Sequence, residues 1–123
     1  MILRTMSLRP IVTRDIGNRL IERGVVMAKI LVFAGSTRSE SFNRKLATVA
    51  AAAAEQTGAV VTHIELADYP MPLFNQDLEA SEGMPDSARQ FKQQLIDHDG
   101  FIIASPEYNS AFSPLMKNVI DWA

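Results

Sequence analysis

From Met27 onward, the chain alternates short apolar runs with longer segments of helical periodicity, and this alternation limits the possible folds more than any other feature. The apolar runs at 30–34, 60–66 and 101–104 are predicted to be strands, and a helical segment follows each of them. β and α units that alternate at this spacing are joined by right-handed crossovers, which produce a parallel sheet with helices on both faces. The sequence therefore predicts a doubly wound, three-layer α/β domain.

The three predicted helices are located by their caps and apolar stripes. The first runs from Asn43 to about Gln56, the second from near Pro85 to about His98, and the third begins after Ser113. Small alanine side chains allow the first helix to pack close to the sheet. Four residues of the first helix are predicted to face the sheet, at positions i, i+3, i+4 and i+7: Leu46, Val49, Ala50 and Ala53.

Three strands are few for this architecture. A sheet with helices on both faces usually has about five strands, and here the run 101–104 would be left as an unprotected edge. We therefore expect a truncated open reading frame. Residues 67–84 are rich in proline and acids and are predicted to form a long irregular connection, whose length indicates a functional or interface role.

Length and composition exclude several classes of protein. A chain of 123 residues fits one domain, and its net charge of −2 gives no basic field for nucleic acid or an anionic membrane. The absence of Cys removes disulfides, thiolate metal sites and cysteine nucleophiles, and it favours the cytoplasm. No apolar run approaches the roughly 20 residues that span a bilayer. His63 and His98 lack the spacing of metal ligands, so no metal site is predicted.

Residues 1–26 differ from the rest of the chain. They contain five Arg, no Lys and two acids, and they have no period that could bury one face. Three interpretations remain open: translation from an upstream start or vector sequence, an Arg-rich organelle-targeting peptide, and a basic interaction tail. We predict that 1–26 is an extension outside the fold and that 27–123 is the folded domain.

The loop 35–43 lies between the first strand and the first helix. It contains one Gly, three Ser, one Thr and one Arg, and the helix N-terminus behind it presents free N–H groups. This composition is typical of a site for a single phosphate, without the glycine patterns of a triphosphate or dinucleotide loop. A plain capped loop with Ser41 as N-cap is the alternative.

The loop 105–113 follows the third strand. Its aromatic ring, amide and proline suit a flat ligand with polar edges. The alternative is a surface turn with Tyr108 half-buried. Because ligands of open α/β sheets bind beyond the carboxyl ends of the strands, these two loops are the candidate site.

Two strings in these loops resemble a known family. AGSTRSESFNRKLA after the first strand and SPEYNSAFSPLMKNVIDW after the third are similar to the NADPH-dependent FMN reductase family, which includes quinone, azo-dye and chromate reductases. The proline-rich segment 68–78 also resembles that family. The resemblance covers 27–123 and implies a flavodoxin-like fold whose last strands and helix are missing from this sequence.

The resemblance implies a site and a reaction. FMN is the implied cofactor, NAD(P)H the co-substrate, and a flavin, quinone, azo compound or metal oxyanion the acceptor. No catalytic side chain is implied, since the flavin performs the hydride transfer. The residues implied to bind the FMN phosphate are Ser36, Arg38, Ser41 and Asn43, and those implied to line the ribityl chain and ring are Pro106, Glu107, Tyr108, Asn109 and Ser110.

The resemblance also implies a homodimer or homotetramer. Leu73, Phe74 and Trp122 are candidate interface residues, although core packing is the favoured interpretation for Trp122. A non-catalytic remnant or flavin-binding fragment is the alternative function.

Overall fold

Four strands form the main sheet of the computed structural model, which describes residues 27–123 in full and residues 2–5 as a backbone strand. The strands are β1 (Ile2–Thr5), β2 (Lys29–Ala34), β3 (Val60–His63) and β4 (Gly100–Ser105), in the spatial order β1-β4-β2-β3. β2 pairs in parallel with both β3 and β4. The three predicted strands and their parallel pairing are confirmed, although β3 ends at His63 and not at residue 66.

Helices cover both faces of this sheet. α1 (Phe42–Gln56) packs on one face, where Ala47 and Ala51 meet Val32 and Ala34 of β2. α3 (Asp86–Ile96) and α4 (Pro114–Trp122) cover the other face, where Phe91, Met116 and Val119 meet Leu31 and Phe33. Since alternate residues of β2 belong to the two cores, the strand is buried on both sides. The predicted three-layer α/β architecture is confirmed.

The predicted inner stripe of α1 is wrong in phase. Val49 is 67% exposed and Ala53 is also exposed, whereas Ala47 and Ala51 are buried and Leu46 and Ala50 are half-buried. The smallest side chains occupy the line of closest approach to the sheet, and Val49 is turned to solvent. The alanine tract 50–54 has a small apolar residue on every side of the helix, so the helix can turn a different face to the sheet from the one predicted.

The connection between β3 and α3 contains more regular structure than predicted. A 3₁₀ turn occupies Leu66–Asp68 and a helix, α2, occupies Gln76–Glu82. Asn75 is the N-cap of α2, and its Oδ1 accepts hydrogen bonds from the N–H groups of Asp77 and Leu78. α3 then begins after Pro85, which is its N-cap, and it ends two residues before the expected His98.

The opening segment enters the sheet at four residues. Ile2–Thr5 pairs antiparallel with β4, with Leu3 opposite Ala104. The expectation that 1–26 lies outside the fold therefore fails for residues 2–5, because backbone pairing needs no apolar period. β1 also pairs with the β4 edge that we expected to be unprotected. The rest of that segment lies outside the described residues.

Candidate functional site

Two loops meet where β2 and β4 end. The serine-rich loop (35–41) follows β2, and the hairpin loop (106–112) follows β4. Gly35 N–H donates to the carbonyl oxygen of Ala104 at 2.8 Å, and Ser113 Oγ donates to the carbonyl oxygen of Gly35 at 2.6 Å. Ser113 also caps α4, since its Oγ accepts from Met116 N–H at 3.1 Å. One buried hydroxyl thus joins the serine-rich loop to α4, directly after the hairpin loop.

Gly35 is required by the closeness of this junction. A Cβ at position 35 would lie 2.9 Å from Ser105 Oγ and 3.3 Å from Ser113 Oγ. Ser105 Oγ also accepts from Ser113 N–H at 3.4 Å, so neither hydroxyl is free to move aside. Any larger residue would separate the two loops.

The serine-rich loop is closed by its own hydrogen bonds. Ser41 N–H donates to the carbonyl oxygen of Arg38 at 3.1 Å, and Arg38 N–H donates to Ser36 Oγ at 3.3 Å. Ser41 is 3% exposed and is the N-cap of α1, with its Oγ accepting from Arg44 N–H at 3.4 Å. The N-cap role of Ser41, which belongs to the alternative of a plain capped loop, is confirmed, and the loop ends at the positive end of a helix of 15 residues.

The four residues predicted to bind phosphate lie in or next to this loop. Ser36 and Asn43 are half-buried, and Arg38 is exposed. The Arg38 guanidinium donates through Nη2 to the carbonyl oxygen of Glu40 at 2.9 Å. Arg38 is therefore folded over its own loop, and Ser41 has a structural role as the N-cap of α1. The assignment of these side chains to an anion remains a prediction.

Charges of both signs surround the serine-rich loop. Lys45 Nζ lies 3.0 Å from Glu40 Oε2, and Arg44 Nε lies 2.9 Å from Glu65 Oε2. The Arg44–Glu65 contact is an ion pair by distance, but its N–H is not aligned for a hydrogen bond. Three cations and two carboxylates thus lie around the loop: Arg38, Arg44, Lys45, Glu40 and Glu65.

The hairpin loop has more structure than the predicted irregular loop. β5 (Glu107–Tyr108) and β6 (Ala111–Phe112) pair antiparallel, and Asn109 and Ser110 form the turn with φ angles of 51° and 64°. Two positive φ angles indicate a type I′ turn. Tyr108 is 55% exposed and lies on the surface of this turn. Of the five residues predicted to line the ring, Pro106 is half-buried and the other four are exposed.

A cavity of about 360 Å³ lies beside Thr37 of the serine-rich loop. The segment 66–71 and α4 form the rest of its wall. Tyr69 is the one phenol in this wall, and burial, followed by the negative charge of Asp68, raises the pKa of the Tyr69 hydroxyl above its ordinary value.

α4 also holds residues 72–74, which directly follow the segment 66–71 of the cavity wall. Asn118 Oδ1 accepts from Phe74 N–H at 2.8 Å, and Asn118 Nδ2 donates to the carbonyl oxygen of Pro72 at 3.0 Å. Trp122 Nε1 donates to the same carbonyl at 2.8 Å, and its ring packs edge-on against Phe74. Trp122 is 1% exposed, so its core role is confirmed. Leu73, between the two anchored residues, is 82% exposed.

Sequence reasoning missed the contacts that assemble this site. The Ser113–Gly35 bond joins residues 78 positions apart, and the Arg44–Glu65 pair joins a helix to the end of a different strand. The sequence signal that could have indicated the junction is a glycine directly after one strand, Gly35, together with serines at both ends of the other loop, Ser105 and Ser113. Within 27–123, no group of three or more metal-binding side chains occurs. Among the helices described, none is long and apolar enough to cross a membrane.

Comparison with known proteins identifies the family. The sequence profile of the NADPH-dependent FMN reductases matches residues 28–123. The chain belongs to this family. A 2-hydroxy-1,4-benzoquinone reductase from a Burkholderia species is 40% identical over 96 residues, which cover 77% of this chain and 49% of the relative. An NAD(P)H-dependent FMN reductase of Pseudomonas aeruginosa is also 40% identical, over 98 residues.

A solved structure confirms the fold of the family. FerB from Paracoccus denitrificans, a flavoenzyme described as an NAD(P)H:(acceptor) oxidoreductase, superposes with a TM-score of 0.65 at 32% identity. The match covers 79% of this chain and 50% of that one. The family relationship that we inferred from the two loop strings is therefore confirmed, and the predicted FMN and NAD(P)H agree with the family. The chain spans about half the length of the relatives it matches.

Proposed function

We propose that this chain provides the FMN-binding half of an NAD(P)H-dependent oxidoreductase. The observation that carries the proposal is the junction of the two loops: a serine-rich turn at the N-terminus of α1 is joined through Ser113 to the base of the hairpin loop. An N-terminus of this kind favours a phosphate, and the exposed hairpin offers an aromatic ring and amides beside it.

The serine-rich loop would bind the FMN phosphate. Hydroxyl groups of Ser36 and Ser41, the guanidinium of Arg38 and the amide of Asn43 supply neutral and charged donors at one helix end. Arg38 is exposed and bonded to its own loop, so its guanidinium can turn to a phosphate without breaking a core contact.

Residues 106–110 of the hairpin loop would orient the flavin ring. Its turn exposes Tyr108 for stacking, and Asn109 and Ser110, which form the turn, are exposed beside it. Bound FMN supplies the hydride-transfer chemistry between NAD(P)H and the acceptor. The chain's own groups bind, orient and polarise, and we assign no catalytic side chain.

The finer assignments belong to the same proposal. Quinones are the proposed acceptors because the Burkholderia relative is named a benzoquinone reductase, and flavins, azo compounds and metal oxyanions are proposed as further acceptors. We propose a cytoplasmic homodimer or homotetramer without nucleic-acid or membrane partners, with 27–123 as the FMN-binding domain. A non-catalytic remnant or flavin-binding fragment without turnover is the alternative function.

Fluorescence titration of the chain with FMN, and with riboflavin beside it, tests the proposal. We expect tighter binding of FMN, and we expect Arg38→Ala to weaken FMN binding about tenfold to a hundredfold, since a charged donor is lost, while riboflavin binding is unchanged. Arg89→Ala, at an exposed arginine of α3, is the matched control. FMN-dependent oxidation of NADPH with a quinone present separates the enzyme from the fragment. Equal affinities for FMN and riboflavin would refute the phosphate site.

A further inference from the structure

Arg44 lies behind the serine-rich loop and contacts its backbone. Its guanidinium Nη1 is 3.5 Å from the carbonyl oxygen of Arg38 and 3.4 Å from that of Ser39. The other side of the guanidinium faces Glu65, with Nε and Oε2 2.9 Å apart. Both side chains of this pair are about one-third exposed, at 32% and 35%. One side chain on α1 thus links two consecutive peptide groups of the loop to the end of β3.

This contact fits one orientation of the loop amides, in which the Arg38 carbonyl oxygen also accepts from Ser41 N–H at 3.1 Å. In a planar trans peptide, the carbonyl and the following N–H point in opposite directions. Because the carbonyls of Arg38 and Ser39 face Arg44, the N–H groups of Ser39 and Glu40 face away from it. Arg38 Nη2 holds the next carbonyl, that of Glu40. Guanidinium groups therefore hold three consecutive carbonyl oxygens of this loop.

We propose that Arg44 is a positioning residue for anion binding and that Glu65 holds it in place. Arg44 keeps the N–H groups of Ser39 and Glu40 directed to the side of the loop where a phosphate would be bound. Its presence therefore increases the affinity for FMN relative to riboflavin. This inference rests on the proposed function and adds to it a specificity-determining residue outside the predicted set.

Arginine is suited to this task and lysine is not. The planar guanidinium places Nη1 within 3.5 Å of the two carbonyl oxygens while Nε lies 2.9 Å from the carboxylate, an ion pair whose N–H is not aligned for a hydrogen bond. A lysine ammonium has the same charge but one nitrogen at the end of a flexible stem, so it cannot hold both sides. Arg44→Lys therefore separates positioning from charge, and Arg44→Gln removes both.

The first measurement uses inorganic phosphate and the backbone amide signals of the FMN-free chain. We expect phosphate to shift the signals of Ser39 and Glu40 in the native chain and in Arg89→Gln. In Arg44→Gln and Arg44→Lys these two shifts should fall at least about threefold, while signals in β2 and α3 stay unchanged and report an intact fold. Unmoved Ser39 and Glu40 signals in the native chain would refute the proposal, as would full shifts in Arg44→Lys.

The second measurement compares FMN with riboflavin. Arg44→Gln and Arg44→Lys should each weaken FMN binding about tenfold, with riboflavin affinity within twofold of the native value, because the lost amides act on the phosphate alone. Glu65→Gln should have the same effect, but a smaller one. Equal weakening of both ligands would show a merely structural role and overturn the inference.

The two proposals fail in different ways. A native chain that does not prefer FMN to riboflavin refutes the proposed function and the inference with it. A native chain with that preference, which Arg38→Ala abolishes and Arg44→Gln retains, refutes the inference alone.

Discussion

At the scale of single residues, Ser110 holds a conformation that its side chain disfavours. Its φ of 64° lies in the left-handed region, where glycine has no steric cost and Asn, as at position 109, is the next best tolerated. We expect Ser110→Gly to raise the free energy of unfolding by about 0.5–1 kcal/mol, measured by urea denaturation. Ser110→Ala is the control, because it keeps the Cβ. A glycine variant no more stable than the alanine variant would contradict the turn geometry.

Ionisation of Tyr69 is expected to lower the stability of the folded chain at alkaline pH. Burial first, and the charge of Asp68 second, raise the pKa of this phenol in the folded chain, whereas the unfolded chain ionises at about 10. The folded state holds this proton more tightly, so the stability from Tyr69 is complete below about pH 10 and is lost as the pH rises through the higher folded pKa.

Thermal melts at pH 8 and at pH 10.5 test this expectation. The fall in stability between the two values should be smaller in Tyr69→Phe than in the native chain, and intermediate in Asp68→Asn. Tyr108→Phe is the control, since that ring is mostly exposed. The same fall in Tyr69→Phe as in the native chain would contradict the assignment.

At the scale of elements, α4 acts as the anchor of the segment 72–74. Asn118→Ala leaves the N–H of Phe74 without its 2.8 Å partner and removes one donor from the carbonyl of Pro72. We expect a loss of about 1.5–3 kcal/mol in the free energy of unfolding. Trp122→Phe, which removes a hydrogen bond but keeps most of the ring, should cost about 1 kcal/mol.

Urea denaturation measures both changes against Lys117→Ala. Lys117 is the neighbouring residue on the same helix, and its exposed ion pair with Asp121 contributes at most about 0.5 kcal/mol. An Asn118→Ala variant as stable as this control would show that the segment is held by apolar packing alone.

Elements with local signals were predictable, and elements that depend on distant partners were not. Ser41 and Ser113 indicate the starts of α1 and α4, because an N-cap side chain binds backbone N–H groups only two or three residues further on. α2 was missed since its seven residues contain a single large apolar side chain, Leu78, and so have no stripe. In α1, Val49 and Ala53 belonged to the predicted stripe but are exposed, because close packing against the sheet favours Ala47 and Ala51.

The candidate site shows the same division. Its two loops were predictable from strand ends and composition, and the family relationship follows from their strings. The Arg44–Glu65 pair and the Ser113–Gly35 bond were not, since each depends on which strands become neighbours in the folded sheet.

At the scale of the whole molecule, β1 covers the six-residue edge of β4 and is itself an edge strand of four residues, and short edge strands limit association between sheets. An unpaired strand edge offers its N–H and carbonyl groups to other chains. Successive residues of a strand turn their N–H groups to opposite sides, so of Leu3 and Arg4 one donates towards β4 and the other away. Proline has no N–H, so it breaks the pairing only at the position whose N–H donates to β4. We therefore expect that one of the two variants, Leu3→Pro and Arg4→Pro, releases β1 and forms larger assemblies, and that the other stays closer to the native size.

Light scattering after size-exclusion chromatography measures this difference, and each proline variant is the matched control for the other. Two variants that match the native chain would show that β1 does not protect the edge.

The Ser113–Gly35 bond has a consequence for any ligand that spans both loops. Because the bond fixes the serine-rich loop against the base of the hairpin loop, their separation is set when the chain folds. A ligand anchored at one loop then presents its other end to the second loop at a high effective concentration. The two weak contacts act as a chelate, and little conformational entropy is left to be lost at the second contact.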